Sequence, residues 1–252
     1  MVRVPLRAGG LALSTLVRLG AVMAHQGLVA PDQRELVFDR HMRAWCRRLL
    51  AMFAVRLLVE PGTPPPAAGA RLVVCNHRSP ADIIVLLSLF GGQFLSQAAV
   101  ARWPILGAAA RRAGTVFVDR ELGSSRANAI RAIRHRLEQG ATVLVFPEGT
   151  TFGGDQVRQF RAGALSALRG LDVEIVPVGL AYDEGVEWVE GTFSEHLRLV
   201  AARRATRVAV QIGAPVRSEP DEDSKQLAER LGAIVQQLVR QARATHEAGS
   251  RS

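Results

Sequence analysis

A chain of 252 residues, 48% hydrophobic and 22% charged, has the material for one sizeable α/β domain with extra terminal helices. Its net charge of +9 is almost entirely arginine, Lys225 being the single lysine, and this favours anionic partners: nucleic acid, phospholipid headgroups or phosphorylated small molecules. Cys46 and Cys75 are too few for a disulfide framework and lie in no Cys/His spacing of zinc-finger type, so a reducing compartment is the default.

Residues 11 to 30 (LALSTLVRLGAVMAHQGLVA) approach the ~20 apolar residues that cross a bilayer, but Arg18 near the middle favours an interfacial or re-entrant helix. Arg18 and His25, with no clear small-residue cleavage site, also argue against a secretory signal. After Pro31-Asp32 a second helix carries Cys46, Leu49, Leu50, Phe53 and Leu57 on one face and Arg40, Arg43 and Arg47 on another, a pattern that suits a membrane surface. Residues 1 to 60 hold nine arginines against four acidic residues and so more than half of the net charge. The bland alternative is two helices packed on the domain with solvated arginines.

The Pro/Gly-rich stretch 61–70 reads as a linker, followed by a globular domain over 71–245 and a disordered tail over 246–252. Short apolar runs alternate with helical patterns. Strands are expected at Leu72–Cys75, near Phe94, at Thr115–Val118 and at Thr142–Phe146, with helices from Pro80, from about Arg102 and from Ser125 to Glu138. EIVPVGLAY and RVAVQIG read as further strands, and Leu227, Leu231, Ile234 and Leu238 as the face of a docking helix. The alternation predicts an α/β fold with a mainly parallel mixed sheet flanked by helices and preceded by the amphipathic, interfacial N-terminal helices.

Ligands of such sheets bind in loops at the carboxyl ends of strands, and NHRSPAD (Asn76 to Asp82) leaves the strand at Leu72–Cys75 there. Ser79, Pro80 and Asp82 suit the cap, first and third positions of a helix start. The alternative use of Asp82 is to fold back on His77, set its tautomer and stabilise the imidazolium, which frees the other ring nitrogen to act as a base. GTVFVDRE places Arg120 after one strand, and VFPEGT places Glu148, Gly149 and Thr150 after another.

Together and in this order, NHRSPAD, GTVFVDRE, FPEGT and VPVGL (Val176 to Leu180) resemble the motifs of the glycerolipid acyltransferase family, of which PlsC-type lysophosphatidate acyltransferases are representative. FRAGA (Phe160 to Ala164) and IGAPV (Ile212 to Val216) add weaker support. The resemblance implies acyl transfer from acyl-CoA or acyl carrier protein to the hydroxyl of a lysolipid, with no metal or other cofactor. His77 would act as base and Asp82 would orient it. Arg120 and Arg161 would face the acceptor anion, and Glu148, Gly149 and Thr150 would line the substrate. Backbone N–H groups near Ser79 or in the 148–150 loop are candidates for oxyanion stabilisation. Direct attack by the acceptor needs no enzyme nucleophile, in keeping with the absence of a GxSxG elbow.

The resemblance most directly implies 1-acylglycerol-3-phosphate as acceptor, phosphatidic acid as product, and a peripheral or monotopic place on the cytoplasmic face of the cell membrane, against an anionic lipid surface. Two departures favour an alternative acceptor without a phosphomonoester, such as lyso-ornithine lipid: Thr151 stands where many members carry arginine, and Gln97 where they carry lysine. Arg102, Arg158 and Arg161 are available to compensate. A non-catalytic lipid-binding module is the alternative of another class. Nucleic-acid binding rests on charge alone, with no RRM, zinc-finger or helix-turn-helix signature. His25, His41, His135, His196 and His246 have no partner at useful sequence spacing.

Overall fold

In a computed structural model the chain is described over residues 2–59, 69–97, 116–118, 123–219 and 221–249. Helix α1 (Arg3–Leu28) and helix α2 (Arg34–Met52) are joined by a 3-10 turn at Pro31–Gln33. The apolar face of α2 is buried, with Trp45, Cys46, Leu49 and Leu50 in the largest core cluster. The helix stops short of the expected Leu57. Ala54 adopts a positive φ of 53°, and the branched run Val55–Val59 becomes strand β1, paired in parallel with β7 (Thr206–Ile212). The domain therefore begins ahead of the Pro/Gly-rich stretch, whose residues 61–68 lie outside the described ones.

Arg43 is half-buried and Arg47 exposed, and both are tied to the domain. They turn toward helix α3 (Ala81–Phe90) and donate to Leu89 O at 2.8 Å and Ser88 O at 3.3 Å, satisfying carbonyls that the last helical turn leaves without partners. Arg18 is likewise turned onto α2, where its Nη1 reaches His41 Nδ1 at 3.1 Å. His41 Nε2 in turn lies 3.0 Å from His25 Nδ1. Burial, Arg18, His25 and Arg40 all hold His41 below its ordinary value. Two histidines expected to lack partners thus stitch α1 to α2.

The other described strands are β2 (Arg71–Cys75), β3 (Gln93–Gln97), β4 (Val116–Val118), β5 (Thr142–Val145) and β6 (Glu174–Tyr182). They order as β1-β7-β6-β2-β5-β3-β4, with every neighbouring pair parallel except β6 and β7. This is the mixed, mainly parallel sheet expected from the alternation. β2 is buried at all five positions, as a central strand covered on both faces must be. Its Val73 and Cys75 pack with α2 and α3, while Leu72 and Val74 pack with α4 (Gly123–Glu138) and α6 (Ser224–Ala248).

Three readings near the carboxyl terminus change. Val235 is fully buried on α6, whereas Ile234 is only half-buried. The helix runs through Ala248 with His246 buried, so residues 246–248 of the expected tail are helical. His196, expected to lack a partner, lies buried on helix α5 (Phe193–Ala202), which starts with a reciprocal Thr192–Glu195 capping box. Gly179 is required where α6 crosses β6, because a Cβ there would come within 2.4 Å of the Leu238 backbone. The helix expected from Arg102 lies outside the described residues.

Candidate active site

β2 and β5 are parallel neighbours, with Val74 beside Val145, so the loops that follow them emerge at one edge of the sheet. β6 runs parallel to β2 on its other side and ends at the same edge. The side chain of Asn76 fixes the junction: its Nδ2 donates to Leu180 O at 3.0 Å and its Oδ1 accepts from Leu180 N at 2.8 Å. The amide copies a strand partner just beyond the last paired residue of β2.

Ser79 and Asp82 build the start of α3. Ser79 Oγ accepts from Ala81 N at 3.2 Å, and Asp82 Oδ2 accepts from Ser79 N at 2.9 Å and Arg78 N at 2.6 Å. The same Oδ2 lies 2.8 Å from His77 Nδ1. Asp82 thus caps the helix and holds the histidine at once. Opposite a carboxylate, Nδ1 carries the proton and Nε2 is left as the basic nitrogen. The imidazole stacks on Phe146 with ring centroids 4.1 Å apart and planes 12° from parallel, and its side chain keeps 17% exposure.

Asp82 is fully buried, and its second oxygen is also occupied, because Tyr182 Oη donates to Oδ1 at 2.5 Å. Burial first, and then Asp82, push the Tyr182 phenol well above its ordinary value, so it serves as a donor. His196 Nε2 lies 2.9 Å from Ser79 Oγ, and burial holds that histidine below its usual range against the pull of Asp82. Neither Tyr182 nor His196 has a local sequence signal, since they stand 100 and 117 residues from the groups they touch.

Glu148 is turned inward onto Arg78. Its carboxylate is sealed from solvent with Arg78, whose Nη1 lies 2.9 Å from Oε2 and 3.1 Å from Oε1. Arg78, the residue of NHRSPAD in direct contact with it, supplies the main charge that makes burial of Glu148 tolerable. Burial raises the Glu148 carboxyl above its ordinary value, with Arg78 and the His77 backbone N–H opposing it.

Gly149 has φ of 82°, and Arg161 lies against it; the adjoining Phe152 N donates to His77 O at 3.1 Å. Thr151 Oγ1 donates to Trp188 O at 2.5 Å, and Trp188 N donates to Arg78 O at 2.8 Å. Of the backbone donors considered for an oxyanion, those at the helix start already bond Asp82 or Ser79, and Gly149 N bonds Phe146 O. Glu148 N–H and Thr150 N–H have no such partner among the described residues. Arg120 lies outside them, two positions after β4.

A model of the Acyltransferase family matches residues 57–181, from β1 into β6. A lyso-ornithine lipid O-acyltransferase of Pseudomonas aeruginosa is 35% identical, over 72% of this chain and 71% of that protein. A lyso-ornithine lipid O-acyltransferase of Rhodobacter capsulatus is 32% identical over 94% of this chain and 89% of its own length. The chain belongs to the acyltransferase family. A 1-acyl-sn-glycerol-3-phosphate acyltransferase of Neisseria gonorrhoeae is 29% identical over 52% of each chain. The acyltransferase shares its fold with the crystal structure of the 1-acyl-sn-glycerophosphate acyltransferase PlsC of Thermotoga maritima, with a TM-score of 0.69, 22% identity and coverage of 94% of this chain and 98% of that one.

Proposed function

We propose that the acyltransferase moves a fatty acyl group from a thioester donor, acyl-CoA or acyl carrier protein, to the hydroxyl of a lysolipid. The observation that carries the reading is the His77–Asp82 pair at 2.8 Å, held by two backbone N–H groups and Tyr182. His77 Nε2 removes the proton of the acceptor hydroxyl, and Asp82 stabilises the imidazolium. The oxygen attacks the thioester carbonyl, with the unengaged N–H groups of the 148–150 loop, those of Glu148 and Thr150, as candidate donors to the tetrahedral oxyanion. The C–S bond breaks, and the leaving thiolate recovers the proton from His77. No covalent enzyme intermediate forms and no cofactor takes part.

For the acceptor, a lyso-ornithine-type lipid is the first reading. Thr151 replaces the family's frequent arginine and its hydroxyl is engaged by Trp188 O, and the relatives similar over most of their length carry the name of that activity. 1-Acylglycerol-3-phosphate is the second reading, supported by the four-motif resemblance and the partial similarity to the Neisseria gonorrhoeae enzyme.

The reaction takes place at the cytoplasmic face of the cell membrane, with α1 lying in the interface. α1 is long and apolar enough to cross a membrane, with a mean hydropathy of 1.3. Its two ends are both tied down, however: Arg7 bonds Ala201 O and Arg203 O at the end of α5, and His25 meets His41 on α2. A helix held along the body presents Leu6, Leu13, Leu16, Val17, Met23 and Leu28 outward, six of the exposed large apolar side chains of the described residues.

The test is an acceptor panel of lyso-ornithine lipid, lysophosphatidate and glycerol-3-phosphate, each offered with labelled acyl-CoA and acyl carrier protein. Transfer to lyso-ornithine lipid that disappears in folded His77→Ala is the expected result. Retained transfer in that variant removes His77 from the chemistry, and preferred transfer to lysophosphatidate selects the second acceptor.

A further inference from the structure

Ser79 is fully buried just ahead of α3, and its hydroxyl oxygen has two partners among the described residues. It accepts from Ala81 N at 3.2 Å, and it lies 2.9 Å from His196 Nε2. A buried hydroxyl needs an acceptor for its own proton, and the imidazole nitrogen is the acceptor bonded to it. Ser79 Oγ–H therefore donates to Nε2, which makes His196 a neutral imidazole with its proton on Nδ1.

His196 reaches this point from 117 residues along the chain, and its ring is held by its own helix and by Trp188. Its backbone N–H bonds Thr192 O at 3.1 Å, inside the capping box of α5. The ring stacks on Trp188, with centroids 5.9 Å apart and planes 28° from parallel. Trp188 N donates to Arg78 O at 2.8 Å, so one segment braces both the imidazole and the residue next to Ser79. Packing alone would be served by a phenyl ring, which buries no polar atom. What the imidazole adds is the bond to Ser79.

Ser79 connects this imidazole to that of His77. Its N–H donates at 2.9 Å to Asp82 Oδ2, the oxygen that lies 2.8 Å from His77 Nδ1. Among the charged groups around His196, Asp82 acts on it from α3. Glu195 on its own helix is turned to Thr192, Arg7 of α1 to Ala201 O and Arg203 O, and Arg78 to Glu148. A proton on His196 Nε2 would reverse the bond and leave the Ser79 hydroxyl proton without its acceptor. It would also put a cation beside the positive end of α3 and the carboxylate that serves His77.

We propose, on the acyl-transfer reading above, that His196 is a positioning residue: through Ser79 it fixes the turn between β2 and α3, and with it the line from Asp82 to His77. His196 serves in this way only while uncharged. Burial, against the pull of Asp82, holds it below its ordinary value and so uncharged at neutral pH.

The experiment uses the full chain in neutral detergent micelles and compares wild type with His196→Phe, His196→Gln, Ser79→Ala and the double variant His196→Phe with Ser79→Ala. His196→Phe keeps the stack on Trp188 and loses the bond. Its kcat is expected to fall about tenfold, with KM for acceptor and acyl-CoA within about twofold, because the lost group positions His77 and not substrate. His196→Gln, whose amide oxygen accepts from Ser79 Oγ–H, should recover most of the loss. The double variant should be no slower than Ser79→Ala, since both changes remove one bond. Between pH 7.5 and 5, where circular dichroism shows each protein folded, kcat/KM should fall more steeply in wild type than in His196→Gln, which has one titrating group fewer. Wild-type kcat in folded His196→Phe, or equal acid slopes, would overturn the proposal.

The Nδ1–H proton of His77, identified by its loss in His77→Ala, reads the positioning without turnover. Its NMR resonance should shift in His196→Phe and return in His196→Gln. A shifted resonance in a protein whose wild type transfers no acyl group would sink the reaction and leave the coupling of the two histidines standing. An unmoved resonance with unchanged kcat, alongside normal wild-type turnover, would sink the role of His196 alone.

Discussion

Tyr182 and Asp82 meet at 2.5 Å although 100 residues separate them, and through this bond the last residue of β6 closes the fourth hydrogen bond on the carboxylate that holds His77. Removing the hydroxyl leaves one buried carboxylate oxygen unsatisfied, worth about 1.5–3 kcal/mol for a charged bond. Tyr182→Phe is expected to lower Tm by about 3–10 °C. It should reduce kcat about tenfold with KM little changed, since Asp82 positions His77 and not substrate. A normal kcat together with a lowered Tm would confine Tyr182 to stability.

Asp82→Asn separates the two uses of the carboxylate. The amide oxygen still accepts from the helix-start N–H groups, and the amide nitrogen is able to donate to Tyr182 if that hydroxyl reverses. What it lacks is charge to stabilise the imidazolium. Activity should fall on the order of a thousandfold with Tm lowered only slightly. Wild-type turnover would reduce Asp82 to a helix cap.

Arg78 and Glu148 form a buried pair whose disruption acts on the fold before it acts on chemistry. Arg78→Met strands the Glu148 carboxylate and releases Gly154 O and Gln156 O, and should cost about 3–5 kcal/mol. Glu148→Gln should cost less, because burial already raises this carboxyl above its ordinary value and the amide oxygen still accepts from Arg78. Denaturant unfolding of the two variants compares them directly, and equal losses would contradict the buried-charge account.

Acid should weaken the fold through two buried histidines and one half-buried one. His41, His196 and His246 are each held below 6.5, chiefly by burial. As pH falls through 6.5 the unfolded chain binds protons that the folded chain refuses. The stability present above that value therefore declines until the folded-state values are passed. Tm measured from pH 7.5 to 5 should drop, and His196→Gln should flatten the slope while keeping a bond to Ser79. An unchanged slope would locate the acid sensitivity elsewhere.

The apolar face of α1 should govern membrane binding. Placing a charge on it by Leu13→Asp with Val17→Asp removes two exposed apolar side chains, each worth about 1.5–3 kcal/mol when fully buried in lipid. Flotation with anionic vesicles should show partitioning reduced by a factor of ten or more, with Tm in solution preserved. Wild-type flotation would place the lipid contact on another surface.

The sequence by itself determined the strand, the turn and the helix start of NHRSPAD, and with them the reach of Asp82 back to His77, because five residues of one strand-to-helix connection suffice for that geometry. It also determined the alternation that makes a mainly parallel sheet, since period and turn residues are local properties. Which strands became neighbours was decided only by tertiary structure. The order β6-β2-β5 brought Tyr182, Asn76 and the 148–152 turn to one edge, and the packing of α5 delivered His196 to Ser79. The same distinction explains Glu148, which reads locally as a substrate contact in a turn and becomes an internal anion once Arg78 is placed beside it. It explains α2 as well: its periodicity predicted one apolar and one cationic face, but only the arrival of α3 showed that Arg43 and Arg47 bond carbonyl ends. Long-range partners carry no spacing rule, because their proximity is created by burial of the sheet and not by the chain between them.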